Sequence, residues 1–144
     1  MAAMPTRSDD APLAAALERV GDRWSFLVVE ALLGGARRFN ELADAVPGIA
    51  PNILSDRLRR LERDGVLVGR PYQARPPRLE YELTGDGRDL AGALRLLAGW
   101  GARHATDGQP LRHSLCGTAL EARWYCPTCA LAVRDPATDE TRLV

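Results

Sequence analysis

PNILSDRLRRLERDG, residues 51–65, is the stretch whose reading decides the fold. Leu54, Leu58 and Leu61 recur at spacings of four and three, which lays one apolar stripe along a helix. At about 100° per residue, Asn52, Asp56, Arg59, Arg60 and Arg63 fall on the opposite side. Pro51 suits a first helical turn, where its missing N–H costs nothing, and Gly65 suits a left-handed stop. Such a helix can dock its leucines on a core while its arginines face a polyanion. The next segment of chain, VLVGRPYQARPPRLEYELT at 66–84, reads as a strand, an Arg- and Pro-rich turn and a second strand. Leu79, Tyr81 and Leu83 alternate with Glu80, Glu82 and Thr84, so one face of that strand is buried and the other wet.

Upstream, Pro12 opens a helical pattern through Leu13, Leu17 and Val20, stopped by Gly21. Asp22 is a natural N-cap for the next helix, DRWSFLVVEALLGG, which is apolar almost all round and should be the buried central one. Arg37-Arg38-Phe39 is long enough only for a bridge or an edge strand. Asn40 can cap the short helix NELADAV, with Leu42, Ala43 and Val46 inward, and Pro47-Gly48 makes a turn. Ile49 can reach back into the core. Two short helices joined by a tight Gly-containing turn, the second polar on its outer face, are what a helix-turn-helix requires. With the hairpin as wing, the expected class is α+β: a winged helix-turn-helix domain over residues 11–106. Thr84 should begin one further helix, TGDGRDLAGALRLLAGWGARHA, with Leu90, Leu94, Leu97 and Trp100 at core spacing. Its long apolar stripe, matched by the N-terminal helix, suits self-association. Residues 1–10 are polar, aperiodic and expected to be disordered, 107–110 read as a linker, and 111–144 as a second small element.

The 144 residues carry no net charge, so the local balance decides. From Arg37 to Arg78 stand nine arginines (37, 38, 57, 59, 60, 63, 70, 75, 78) against five acids (41, 44, 56, 62, 64), a balance of +4 that leaves the rest at −4. Positive charge gathered in one segment is the footprint of a polyanion partner. All 19 basic residues are Arg, a global replacement that codon bias explains better than function does. No apolar run reaches the roughly 18–20 residues of a membrane span and no signal peptide opens the chain, so the cytoplasm is the expected compartment. No Ser/His/Asp set, phosphate-binding Gly loop or open metal site points to an enzyme.

In order, Gly21-Asp22-Arg23-Trp24, Arg38-Phe39-Asn40-Glu41-Leu42, Pro47-Gly48-Ile49, Leu54 to Glu62, Gly65 to Arg70, Pro76 to Thr84, Gly87 and Trp100 resemble the HxlR-type regulators of the MarR-like winged-helix group. The resemblance spans about residues 13–105. It implies a homodimeric transcription factor, a repressor in the commonest case, whose helix-turn-helix reads the major groove of double-stranded promoter DNA. Its dimer would form through the first and last helices of the domain. Some members sense electrophiles or oxidants through a cysteine in the N-terminal helices; the first cysteine here is Cys116.

Residues near the start of a recognition helix reach base edges, here Asn52, Ser55, Asp56 and Arg59, while Arg57, Arg60 and Arg63 are expected at phosphates. Asn pairs with adenine and Arg with guanine, each bidentate pair giving about 1–3 kcal/mol of discrimination. Asp56 could accept from a cytosine or orient Arg60. The plainer alternative is a solvated face with internal pairs, Arg59–Glu62 and Arg60–Asp64. Arg75 and Arg78 at the wing are expected at backbone or minor groove, and Arg38 at a phosphate unless Glu41 takes it. Trp24 and Trp100 could line a pocket for an unidentified small-molecule effector, although core packing is the simpler reading.

The tail holds all three cysteines. His113 and Cys116, then Cys126 and Cys129, form two pairs with two residues between partners and nine between Cys116 and Cys126. Two such turns suit a tetrahedral, structural zinc ion, and the pattern resembles a zinc ribbon with His replacing one Cys. A tail with so little apolar bulk would draw folding free energy from the metal. Reduced thiols, or a Cys126–Cys129 redox pair, are the alternatives. Three functions therefore compete: a DNA-binding regulator, a metal- or redox-responsive switch, and a winged-helix protein-interaction module.

Overall fold

The computed structural model describes residues 11–133; the expected disorder at 1–10 lies outside them. The described residues divide into two compact units, with the division between Leu94 and Arg95.

The first unit begins with α1 (Pro12–Val20) and α2 (Arg23–Leu33). Asp22 caps α2 as expected, its carboxylate accepting from the backbone N–H of Trp24 and of Ser25, each at 3.1 Å. Val28, Val29 and Leu32 make α2 the central buried helix. After the Gly34-Gly35 stop comes β1 (Arg37–Arg38), which pairs with β3 as the edge strand of a sheet ordered β1-β3-β2. The cap of α3 (Phe39–Ala45) is Arg38 and not Asn40: β1 runs straight into the helix, and Glu41 reaches back to the Arg38 backbone N–H at 2.7 Å. Leu42 and Val46 face the core, and the turn at Gly48 takes a left-handed φ of 81°.

α4 (Pro51–Arg63) buries Leu54, Leu58 and Leu61 at 0–2% exposure, so the leucine stripe is read correctly. Each contributes about 1.5–3 kcal/mol of burial, enough to hold a helix whose Ala50 cap offers no side-chain acceptor. Gly65 ends α4 with φ 73°. β2 (Leu67–Gln73) and β3 (Arg78–Leu83) form the antiparallel hairpin, with Leu67 opposite Leu83 at its buried base.

The helix expected to run on unbroken from Thr84 is two: α5 (Gly85–Asp89) and α6 (Ala91–Ala102). The Leu90 N–H bonds the Gly87 carbonyl three residues back, a tightening of the turn. Gly87 itself is held by close approach, since a Cβ there would lie 2.0 Å from the Val66 carbonyl oxygen. Leu90 and Leu94 join the core, but Leu97 and Trp100, expected there too, are 51% and 56% exposed. On α1 only Val20 is buried, with Leu13 and Leu17 exposed.

In the second unit, β4 (Trp124–Cys126) and β5 (Leu131–Val133) pair antiparallel, as the flanks of the cysteine turn suggest. Among the described residues, no helix is long and apolar enough to cross a membrane.

Candidate nucleic-acid interface

The outer side of α4 carries the expected pattern. Asn52, Asp56, Arg59 and Arg63 are exposed and Ser55 is half-buried, with the three leucines beneath them. Among the described residues, Arg38, Arg59, Arg63, Arg75 and Arg78 form no ion pairs. Their guanidinium groups are therefore left with donors to offer a polyanion.

Two arginines expected at phosphates are otherwise engaged. Arg57 donates from Nε to Asp22 Oδ1 at 2.9 Å and from Nη1 to Asp56 Oδ2 at 2.8 Å. Asp56 thus orients Arg57, its neighbour, and not Arg60. Arg60 donates to the Glu18 carbonyl at the end of α1 and lies 4.0 Å from Asp64. The anticipated Arg59–Glu62 pair is absent among the described residues; Glu62 instead accepts the Gly69 N–H of β2 at 2.9 Å. Burial, with the Glu62 charge second, pushes the Tyr81 hydroxyl above its usual value. Arg57, Arg60 and Glu62 therefore fix α4 against α2, α1 and the wing, and leave Arg59 and Arg63 outward.

Burial tends to raise the Asp22 carboxyl, but hydrogen bonds from Ser25 and the charge and hydrogen bond of Arg57 outweigh it, so the group stays below its ordinary value. Asp22 was legible as a cap; its second role, holding the recognition helix, leaves no trace in periodicity.

At the wing, Arg75, Pro76, Pro77 and Arg78 form an exposed tip. Arg70 pairs with Glu82 across the strands, stiffening the hairpin. The Arg38 guanidinium sits 4.3 Å from the centroid of the Tyr72 ring, a cation–π contact that turns it toward the wing, while Glu41 binds only the Arg38 backbone. A groove of about 570 Å³ opens there, lined by Arg38, Asn40, Tyr72 and Arg78 among others. Tyr72 is the residue that sequence reasoning missed; it sits at the irregularity of β2 between Pro71 and Gln73, and its approach to Arg38 emerges only from the fold. Of the two tryptophans expected at an effector pocket, Trp24 packs against the core, whereas Trp100 is exposed beside His104, ring centroids 4.7 Å apart.

The predicted zinc ligands come together as pairs. His113 Nδ1 lies 3.3 Å from Cys116 Sγ. Hydrogen bonds from Thr118, with His113 adding to them, bring the Cys116 thiol down to about 7. The backbone N–H of Cys129 chiefly, with the Cys129 thiol, lowers Cys126, which in turn raises Cys129. Among the described residues, no three such side chains are gathered closely enough to hold a metal ion.

Comparison with known proteins accounts for this assembly. Residues 19–109 match the HxlR-like helix-turn-helix family. The chain is 42% identical over 118 residues to the HTH-type transcriptional regulator Rv3095 of Mycobacterium tuberculosis, covering 79% of this chain and 74% of that one. The crystal structure of the HTH-type regulator YtcD superposes with a TM-score of 0.61 at 39% identity, covering 65% of this chain and 96% of that one. A transcription factor of Pseudomonas aeruginosa, PA1374, superposes with a TM-score of 0.64 at 34% identity over 90% of this chain and 96% of its own. Transcriptional regulators, and not enzymes, make up this group, and the chain belongs to the HxlR-like helix-turn-helix family.

Proposed function

We propose that the protein is a homodimeric repressor that binds promoter DNA with α4 in the major groove and the β2–β3 wing on the backbone or in the minor groove. The observation that carries this reading is the division of labour on α4: leucines hold it, Arg57 and Arg60 anchor it, and Asn52, Ser55, Asp56, Arg59 and Arg63 line its outward side. Asn52 and Arg59 are the base readers, and Asp56 orders its neighbour Arg57. Arg38 and Arg63, with Arg75 and Arg78 of the wing, meet phosphate or the minor groove. Arg57 and Arg60 act from behind, by fixing the helix.

The exposed apolar side chains of α1 (Leu13, Leu17) and of α6 (Leu96, Leu97, Trp100) favour a second copy as the cover for both helices. Two recognition helices would then meet half-sites about one duplex turn, roughly 34–36 Å, apart. A dimer seated over a promoter represses by occupying it. The test is equilibrium binding to a duplex selected from a random pool. Affinity should fall linearly in log–log with salt, at a slope of about −0.9 per phosphate neutralised. Salt-independent binding, or none to any duplex, would overturn the reading in favour of a protein-interaction module.

A further inference from the structure

Residues 111–133 have shape without a core. Among them nothing is buried, and only Cys126 and Val133 are less than exposed, while Leu115, Trp124, Tyr125 and Leu131 stand 57–89% open. Hydrophobic burial therefore does not account for their order.

The order itself is repetitive. One hairpin closes through the Arg112–Ala119 bridge, with Leu120 N–H bonded to the Leu111 carbonyl at 2.7 Å and His113 N–H to the Thr118 carbonyl at 2.9 Å. The other is β4–β5, closed where Cys126 stands opposite Leu131. Each tip carries a donor pair with the same offsets. His113 and Cys126 are the last residues of the incoming arms, and Cys116 and Cys129 come three residues later. Directly after each of these comes a left-handed residue, Gly117 at φ 72° and Ala130 at φ 55°. Ala130 is the only non-glycine with positive φ among the described residues, a conformation that costs alanine of order 1 kcal/mol and persists where something else requires it. Such a turn lets two side chains of one short loop aim at one point.

The spacing within a pair also fits. Zn–S near 2.3 Å and Zn–N near 2.0–2.1 Å at tetrahedral angles put sulfur and nitrogen roughly 3.6 Å apart. The His113 Nδ1–Cys116 Sγ distance is 3.3 Å. A thiol–imidazole pair at this separation is nearly half a site.

We propose that zinc draws the two hairpin tips, which hold their donors as two separate pairs, into one closed site with His113, Cys116, Cys126 and Cys129 as its four ligands, and that the metal takes the place of a core for residues 111–133. Three sulfurs and one imidazole nitrogen suit zinc, and a full set of four protein ligands leaves no open position, so the role is structural. A solitary Cys-x-x-Cys turn would suit redox chemistry, but it would not call for the matching turn at residues 113–117. This proposal does not depend on the DNA reading.

The test uses the full chain purified under reducing conditions. Elemental analysis should find one zinc per chain, and Co(II) exchanged into it should give the intense visible bands and thiolate charge-transfer absorption of tetrahedral, sulfur-rich coordination. Cys126→Ser and Cys116→Ser should each weaken metal binding by more than the roughly 10–100-fold typical of outer-shell changes. His113→Cys should keep one equivalent and shift the cobalt spectrum toward four sulfurs. Stripping the metal should expose residues 111–133 to protease while the winged-helix unit stays resistant, a readout that survives misfolding of any variant. Metal-free protein with three freely titratable thiols, a Cys126–Cys129 disulfide without metal, or a cobalt spectrum indifferent to His113 and Cys126 would each overturn the assignment.

Discussion

Arg57 of the recognition helix and Asp22 at the head of the central helix are joined Nε to Oδ1 at 2.9 Å, across 35 positions of chain. The same carboxylate caps α2 and accepts the Ser25 hydroxyl at 2.5 Å. One acidic group thus ends one helix and sets the rotation of another. Because α4 is fixed there, Arg59 and Asn52 point outward without depending on DNA to order them, which favours binding by preorganisation.

This separates the arginines of α4 by experiment. Arg63→Ala should lower the salt slope of DNA binding by about 1, as loss of one phosphate contact does. Arg57→Ala should leave the slope unchanged and cost about 1–2 kcal/mol of folding stability, between the values for exposed and buried pairs. Binding isotherms across a salt series, with urea melts of both variants, decide between anchor and contact.

The Asp22 carboxyl lies below its ordinary 3.8, so the folded state binds its proton less readily than the unfolded chain. The resulting stabilisation is complete above that value and is lost as pH falls through the depressed one. Asp22→Asn keeps a good helix cap but removes the charge that Arg57 meets. Its stability deficit should be constant at neutral pH and close as pH drops below about 3.8, followed by urea midpoints.

Gly87 packs its backbone on the Val66 carbonyl. Gly87→Ala should destabilise the first unit by about 1–3 kcal/mol, because the obstacle is main chain and cannot swing aside. A shifted denaturation midpoint with an unchanged m-value is the expected signature.

Leu97 is half exposed on α6. If α6 carries the proposed dimer, Leu97→Glu should leave a monomer in sedimentation velocity and weaken binding to a two-half-site duplex by roughly a hundredfold, since linked sites bind by avidity. Unchanged mass with normal binding would remove α6 from the interface.

What the sequence discloses and what it hides divide along physical lines. Leu54, Leu58 and Leu61, the Asp22 cap and the Gly65 stop are periodic or local, and all are where the pattern puts them. The alternation expected along β3 fails toward the wing: Leu83 is buried and Tyr81 half-buried, but Leu79 is 40% exposed and Glu80 and Glu82 are half-buried, because the hairpin runs out beyond the core. Arg57 and Arg60 read from the sequence as phosphate contacts and Glu62 as a partner of Arg59, yet all three make contacts within the fold. Beside the local pairs with Asp56 and Asp64, their anchors on other elements, Asp22, the Glu18 carbonyl and the Gly69 N–H, lie 35, 42 and seven positions away, and no local pattern encodes such a pairing. Asn40 loses its capping role because a strand already delivers Arg38 to that position. Leu97 and Trp100 share the spacing of core residues, but spacing does not say whether the same chain or another supplies the cover.

The most direct measurement compares the base preferences of the wild type with those of Arg59→Ala, by sequencing the duplexes each retains from one random pool. Symmetric half-sites should emerge for the wild type. For the variant, preference should be lost at one base pair in each half-site, at a cost of about 1–3 kcal/mol, with the other positions intact. Identical preferences in the two proteins would contradict the placement of α4 in the groove.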